Sequence, residues 1–160
     1  MVFDIGGRGD QSFNDSAYEG LEKAQNELGA IISDVSPNSD GSNRGELLRL
    51  MADGNDVVIG VGFLFADDMT EVAAEYPDTY FGIVDGWVMA DNVAALGFAE
   101  HEGSFLVGAA AGLKTTTDLV GFIGGVNMDL IGKFEAGFVA GVAAANPDAV
   151  VMVEYASEMP

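Results

Sequence analysis

Apolar positions along this chain switch repeatedly between strand-like runs and helix-like spacing. The chain opens on an apolar pair, Val2-Phe3, that stops at Asp4. Within 15–28, Ala17, Leu21, Ala24 and Leu28 fall on one helical face, and Gly29 stands where a left-handed C-cap belongs. The run AIISDV, 30–35, predicts a buried strand, and PNSDGSN, 37–43, predicts a loop. Leu47, Leu48 and Met51 mark a short helix over 44–53. DVVIGV, 56–61, is a second β-branched run and ends at Gly62-Phe63. Met69, Val72, Ala73 and Tyr76 describe another helix, stopped by Pro77. YFGIV, 80–84, predicts a strand that ends in Asp85-Gly86-Trp87, and 93–98 predicts a weaker strand or connector. A small-residue helix follows over 105–114, then a strand over 119–123 ending in Gly124-Gly125. Leu130, Phe134, Phe138 and Val142 step by four along a long helix, and 149–153 is a last strand.

This alternation of strand and helix, with continuous apolar strands, predicts an α/β protein whose parallel sheet is covered on both faces. Ligands in such sheets sit beyond the carboxyl ends of the strands. Here those ends are Asp4 onward, Gly62-Phe63, Asp85-Gly86-Trp87 and 124–129. The first three are expected to converge on one cleft, with the fourth facing them from a second lobe. The expected division is an N-terminal Rossmann-like lobe over 1–96 and part of a second lobe over 97–160.

The stretch FDIGGRGDQSFND, 3–15, carries the candidate chemistry. Its glycines permit close approach of a ligand to the backbone. Their spacing is not GxGxxG, so a dinucleotide fingerprint is unsupported. The loop offers the carboxylates of Asp4 and Asp10, the amide of Asn14 and the ring of Phe13. Those groups suit a flat, neutral, hydroxylated ligand better than a phosphate. With Phe63 and Asp85 at the next two strand ends, they form the candidate ligand-binding set. Each has an ordinary structural alternative. Phe13 packs the start of a helix, Asp4 caps the 12–28 helix, and Asp85 belongs to a turn. Trp87 is expected to pack between lobes rather than touch ligand.

Composition narrows the choice. Acidic residues number 26 against six Lys and Arg, a net charge of −20 on 160 residues. Nucleic acid and anionic membrane surfaces are therefore not expected partners. The acid excess is spread along the chain as a solvated surface and suggests a high-salt habitat. No cysteine is present, and a single histidine, His101, supplies no metal cluster, so no metal and no cofactor are expected. No apolar run is long enough to span a membrane, and no signal peptide is expected, since no basic segment followed by an apolar stretch is present at the N-terminus. An enzyme is not expected either. There is no GxSxG elbow, and the adjacent Asp67 and Asp68 diverge on a helix.

Six pieces of the chain together resemble one family. They are DIGGRGDQSFNDSAYEGL, VIGVGF, YPDTYFGIVDG, FAEHEGSFLVGAAAGLKT, LVGFIGGV and IGKFEAGFVAGVAAANP. In this order they resemble the basic membrane protein (BMP) family of substrate-binding lipoproteins, whose best-understood members are purine nucleoside receptors of ABC importers. The resemblance implies a type I periplasmic-binding-protein fold: two Rossmann-like lobes around a cleft, joined by hinge strands. It implies that Phe13 stacks on a purine, that Asp4 and Asn14 meet the base edge, and that Asp85 accepts from ribose hydroxyls. Asp10 matches the motif. It further implies ABC permease subunits as partners and an extracytoplasmic place, with membrane attachment through a lipid anchor absent from this chain. Family members run about twice this length, so the chain is expected to be a piece of a receptor that binds weakly or not at all. The alternatives are a cytosolic ligand sensor on the same fold, or a truncated piece that binds nothing. A sugar or another small metabolite remains an alternative ligand.

Overall fold

The computed structural model describes residues 1–157. It divides into two compact units, Met1–Gly97 and Phe98–Pro160.

The first unit is built on strands. β1 (Val57–Val61), β2 (Tyr80–Val84) and β3 (Val93–Leu96) form a parallel sheet in that order. The N-terminal segment extends it, because Val2 pairs in parallel with Gly60 on one side and with Val35 on the other. Val2 N–H donates to Ile59 O at 2.8 Å, and Val61 N–H returns to Val2 O at 2.9 Å. Helices α1 (Phe13–Leu28), α2 (Arg44–Ala52) and α3 (Ala66–Glu75) provide the cover. The pleat sends alternate side chains to opposite faces. Val2 and Val58 join Leu48, Met51, Phe65, Met69 and Val72 in one core, on the face of α2 and α3. Met1, Phe3 and Val61 join Ala17, Tyr18 and Leu21 of α1 in a second core, on the other face. Burial of each large side chain contributes roughly 1.5–3 kcal/mol.

Two expectations fail here. The run 30–35 is not a buried strand: only Val35 pairs, and Ile31 is 98% exposed. It lies at the sheet edge, where one bridge to Val2 is its whole ladder. Leu28, expected on the inner face of α1, is 82% exposed. The core contacts of α1 end at Leu21, about two turns earlier. The C-cap does form: Gly29, at φ 71°, gives its N–H to Gln25 O, and Ala30 N–H reaches Ala24 O.

The second unit holds α4 (Glu100–Lys114), β4 (Leu119–Val126), α5 (Asp129–Ala145) and β5 (Val150–Ser157). β4 and β5 pair in parallel, Leu119 opposite Val150 and Val126 opposite Ser157. α4 starts earlier than its apolar pattern predicts. Its first turn is polar, and Glu100 secures it by accepting from Phe98 N–H. The two helices run side by side through glycines. A Cβ on Gly137 would strike His101 O, one on Gly141 Phe105 O, and one on Gly108 Phe138 O. At Gly112 it would lie 3.0 Å from Val142 O. Numbers rise together along these pairs, so the helices are parallel. The sheet is covered on one face only. Phe122 meets Phe138 of α5, ring centroids 5.7 Å apart, whereas Leu119, Ile123, Val150 and Met152 on the other face are exposed. The expected cover on both faces is therefore absent from this pair among the described residues.

Candidate ligand-binding site

The carboxyl edge of the first sheet gathers the candidate residues of the first unit. Asp4 ends the N-terminal strand. Its backbone N–H donates to Asn14 Oδ1 at 3.1 Å. Asn14 is 3% exposed, and because a backbone N–H faces it, the amide oxygen must point to Asp4. The Asn14 NH2 is thereby the donor end of the side chain. Asp4 Oδ1 accepts from Ile5 N–H at 2.8 Å and from Arg44 Nη2 at 3.3 Å. Asp4 Oδ2 lies against Gly62, where a Cβ would come within 2.9 Å of it. Gly62, at φ 117°, leaves β1 in a conformation that glycine tolerates and gives its N–H to Val84 O at the end of β2. Phe63 follows in a 3-10 turn, Phe63–Phe65, half-buried. A Cβ on Gly86 would sit 3.4 Å from Phe63 Cα, so the ends of β1 and β2 touch. Asp85 follows at the end of β2, half-buried, with φ 57° and its N–H on Leu96 O of β3 at 3.0 Å. A non-glycine residue held in the left-handed region is strained, and such strain concentrates at ligand sites.

The loop between strand and helix is clamped by two carboxylates. Asp10 accepts from the N–H groups of Asn14 at 2.8 Å, Ser12 at 3.0 Å and Asp15 at 3.1 Å. The Asn14 N–H above all holds the Asp10 carboxyl below the ordinary 3.8, against a smaller upward push from desolvation, with Ser12 and Asp15 assisting. Asp15 reaches back to Gly9 N–H and Gln11 N–H, both at 2.8 Å. Asp10 is thus the residue that satisfies the open N–H groups at the start of α1, the task that an alternative reading gave to Asp4. Phe13, the first residue of α1, is 37% exposed and belongs to neither core cluster.

The structure thus brings Asp4, Asn14, Phe63 and the backbone of Asp85 to one edge. It turns Asp10 toward the loop's own backbone and leaves Phe13 open to solvent beside that loop. Two participants were missed in the sequence. Arg44 carries no periodic signal that marks it, and Asp15 looks like any acidic residue in a first helical turn. Among the described residues no group of three or more His, Cys, Asp or Glu is arranged to hold a metal. No helix among them is long and apolar enough to cross a membrane.

Parallel α/β units with polar groups at the strand ends match the type I periplasmic-binding fold. A crystal structure of an ABC transporter solute-binding protein from Aeropyrum pernix K1 superposes with a TM-score of 0.84 at 30% identity, over 96% of this chain and 46% of that one. The chain belongs to the Bmp family, "ABC transporter substrate-binding protein PnrA-like", whose model matches residues 1–159. It is 40% identical to a CD4+ T-cell-stimulating antigen of Listeria monocytogenes, over 99% of this chain and 46% of the antigen. It is 35% identical to the ABC transporter nucleoside-binding protein BmpA of Lactococcus lactis, over 98% of this chain and 46% of that protein. The chain therefore spans about half the length of the curated relatives it matches. The family's description is that of a transporter's substrate-binding protein and not of an enzyme.

Proposed function

We propose that this chain forms the part of an ABC importer's receptor that holds a purine nucleoside, or a related small polar solute, outside the cytoplasm for delivery to the permease subunits in the membrane. The observation that carries the reading is the pairing of an acceptor with a donor at one strand edge. Asp4 carries a partly exposed carboxylate and the buried Asn14 an amide NH2 that the Asp4 N–H leaves unused, with Phe13 37% exposed at the start of the same helix. A purine edge carries one donor and one acceptor, and its face stacks on an aromatic ring. Stacking contributes roughly 1–3 kcal/mol per base. Asp85, at the end of β2, is the acceptor assigned to the ribose hydroxyls. A charged acceptor shielded from water contributes roughly 1.5–3 kcal/mol. Asp10 serves the loop that presents Phe13 and Asn14. The nucleoside-binding relative from Lactococcus lactis supports the choice of ligand.

Titration of the chain with inosine, adenosine and guanosine in concentrated KCl, followed by calorimetry and by amide NMR, tests this reading. Binding is expected to perturb the amides of 4–15. Phe13→Ala is expected to weaken it by about tenfold, the low end of the stacking range. Binding that survives Phe13→Ala unchanged rejects the stacking role, and sugar binding in preference to nucleosides rejects the ligand class.

A further inference from the structure

Arg44 is held more tightly than a surface cation needs to be. Its side chain is 12% exposed, and its Nε is buried without a hydrogen-bond partner among the described residues. Nη1 donates to Gly41 O at 3.3 Å, and Nη2 meets Asp4 Oδ1 at 3.3 Å. The guanidinium carbon lies 5.7 Å from the centre of the Phe65 ring. Gly41, at φ 68°, leaves no room for a Cβ, which would fall on the guanidinium. Three separate segments thus converge on this one side chain: the loop before α2, the end of the N-terminal strand, and the turn after β1.

A buried ion pair is weak evidence for stability, because desolvation offsets its attraction. Its geometry is more informative. Both donors given to the Asp4 carboxylate, Ile5 N–H and Arg44, fall on Oδ1. Oδ2 instead lies beside Gly62, where a Cβ would come within 2.9 Å of it. A carboxylate pinned through one oxygen has its other oxygen fixed in direction.

We infer that Arg44 is a positioning residue. It fixes the Asp4 carboxylate through Oδ1, so that Oδ2 is aimed at a donor group of the bound solute. This rests on the proposed role of Asp4 at the ligand edge. Recognition of the solute then depends on a residue that does not touch it. Preorganisation of this kind lowers the cost of ordering side chains on binding.

The test is a double-mutant cycle on the chain, read by inosine titration, with Arg44→Met, Arg44→Lys, Asp4→Asn and the Arg44→Met/Asp4→Asn pair. Arg44→Met is expected to weaken inosine binding by about tenfold, the loss of a charge-assisted contact. The pair should bind no more weakly than Asp4→Asn alone, because Arg44 acts through Asp4. Arg44→Lys should recover most of the loss, and it serves as the folded control if the methionine variant does not fold. Losses that multiply, or an Arg44→Met variant that binds as the parent does, overturn the inference. A second readout needs no ligand. In the free chain, Arg44→Met, or Arg44→Lys in its place, should move the Asp4 carboxyl carbon resonance and the Ile5 amide resonance. If inosine fails to bind the parent chain, the nucleoside reading falls. The positioning of Asp4 is then decided by those resonances, and their failure to move overturns it.

Discussion

At the scale of single residues, the site depends on backbone groups that side chains satisfy. Asp10 illustrates this. Its carboxyl is held below the ordinary aspartate value by N–H groups at the start of α1. A depressed carboxylate contributes stability that is present above the unfolded value and is lost as pH falls through the folded one. Amide exchange at Asn14 and Asp15 is therefore expected to accelerate as pH drops below 3.8, after correction for intrinsic exchange. Asp10→Asn should show the faster exchange already at neutral pH. Equal protection in the two proteins would show that the loop is held by Asp15 alone. Gly62 is the second case. An alanine there meets a φ of 117° and a carboxylate oxygen 2.9 Å from its Cβ. Gly62→Ala is expected to cost about 1–3 kcal/mol in urea unfolding and to displace the Asp4 carboxylate. A stability change near zero would mean that Asp4 moves aside freely.

At the scale of elements, the parallel contact of α4 and α5 is decided by glycine. Replacing a helical glycine with alanine ordinarily gains about 1 kcal/mol. At Gly141 the added Cβ would strike the backbone oxygen of Phe105, which cannot rotate away. Overpacking of this kind costs about 1–3 kcal/mol, so Gly141→Ala is expected to destabilise despite its better propensity. Gly132, with open space around its position, is the matched control and should gain. Glu100 ties the same two helices, since Lys133 Nζ lies 3.5 Å from its Oε2 and its side chain is 4% exposed. Burial pushes this carboxyl up. The N–H groups of Glu100 and Phe98 together with Lys133 outweigh that push and leave it below the ordinary 4.5. Its contribution is therefore complete above that value and is lost on acidification. Glu100→Gln should flatten the acid limb of a stability profile, and an unchanged limb would assign the loss to other carboxylates.

At the scale of the molecule, two forces oppose each other. A net charge of −20 repels the chain from itself and from its copies. The exposed apolar face of β4 and β5 draws copies together. Charges are screened over about 10 Å at 0.1 M salt and over about 3 Å at 1 M. Melting temperature is therefore expected to rise with KCl, and sedimentation is expected to show association growing over the same range. A melting temperature independent of KCl would remove the argument for a high-salt habitat. A chain that stays monomeric in molar KCl would show that the open sheet face is too small to drive pairing.

The amino-acid sequence by itself determined the order of most elements and the carboxyl ends of most strands. Both are local or nearly so. Periods of two and of about 3.6 residues write strands and helices into the apolar pattern, and the carboxyl end of a parallel strand is legible where that pattern breaks, at Asp4, Gly62 or Asp85. What the pattern could not carry was which segment has neighbours. Residues 30–35 have the composition of a buried strand, yet Ile31 stands in solvent, because burial is set by what lies across from a segment and not by what lies within it. The same holds for Arg44 and Asp4, forty positions apart in the chain. Only the fold decides that a cation at the start of α2 meets a carboxylate at the end of the N-terminal strand. Electrostatic pairing acts through space and leaves no period along the chain.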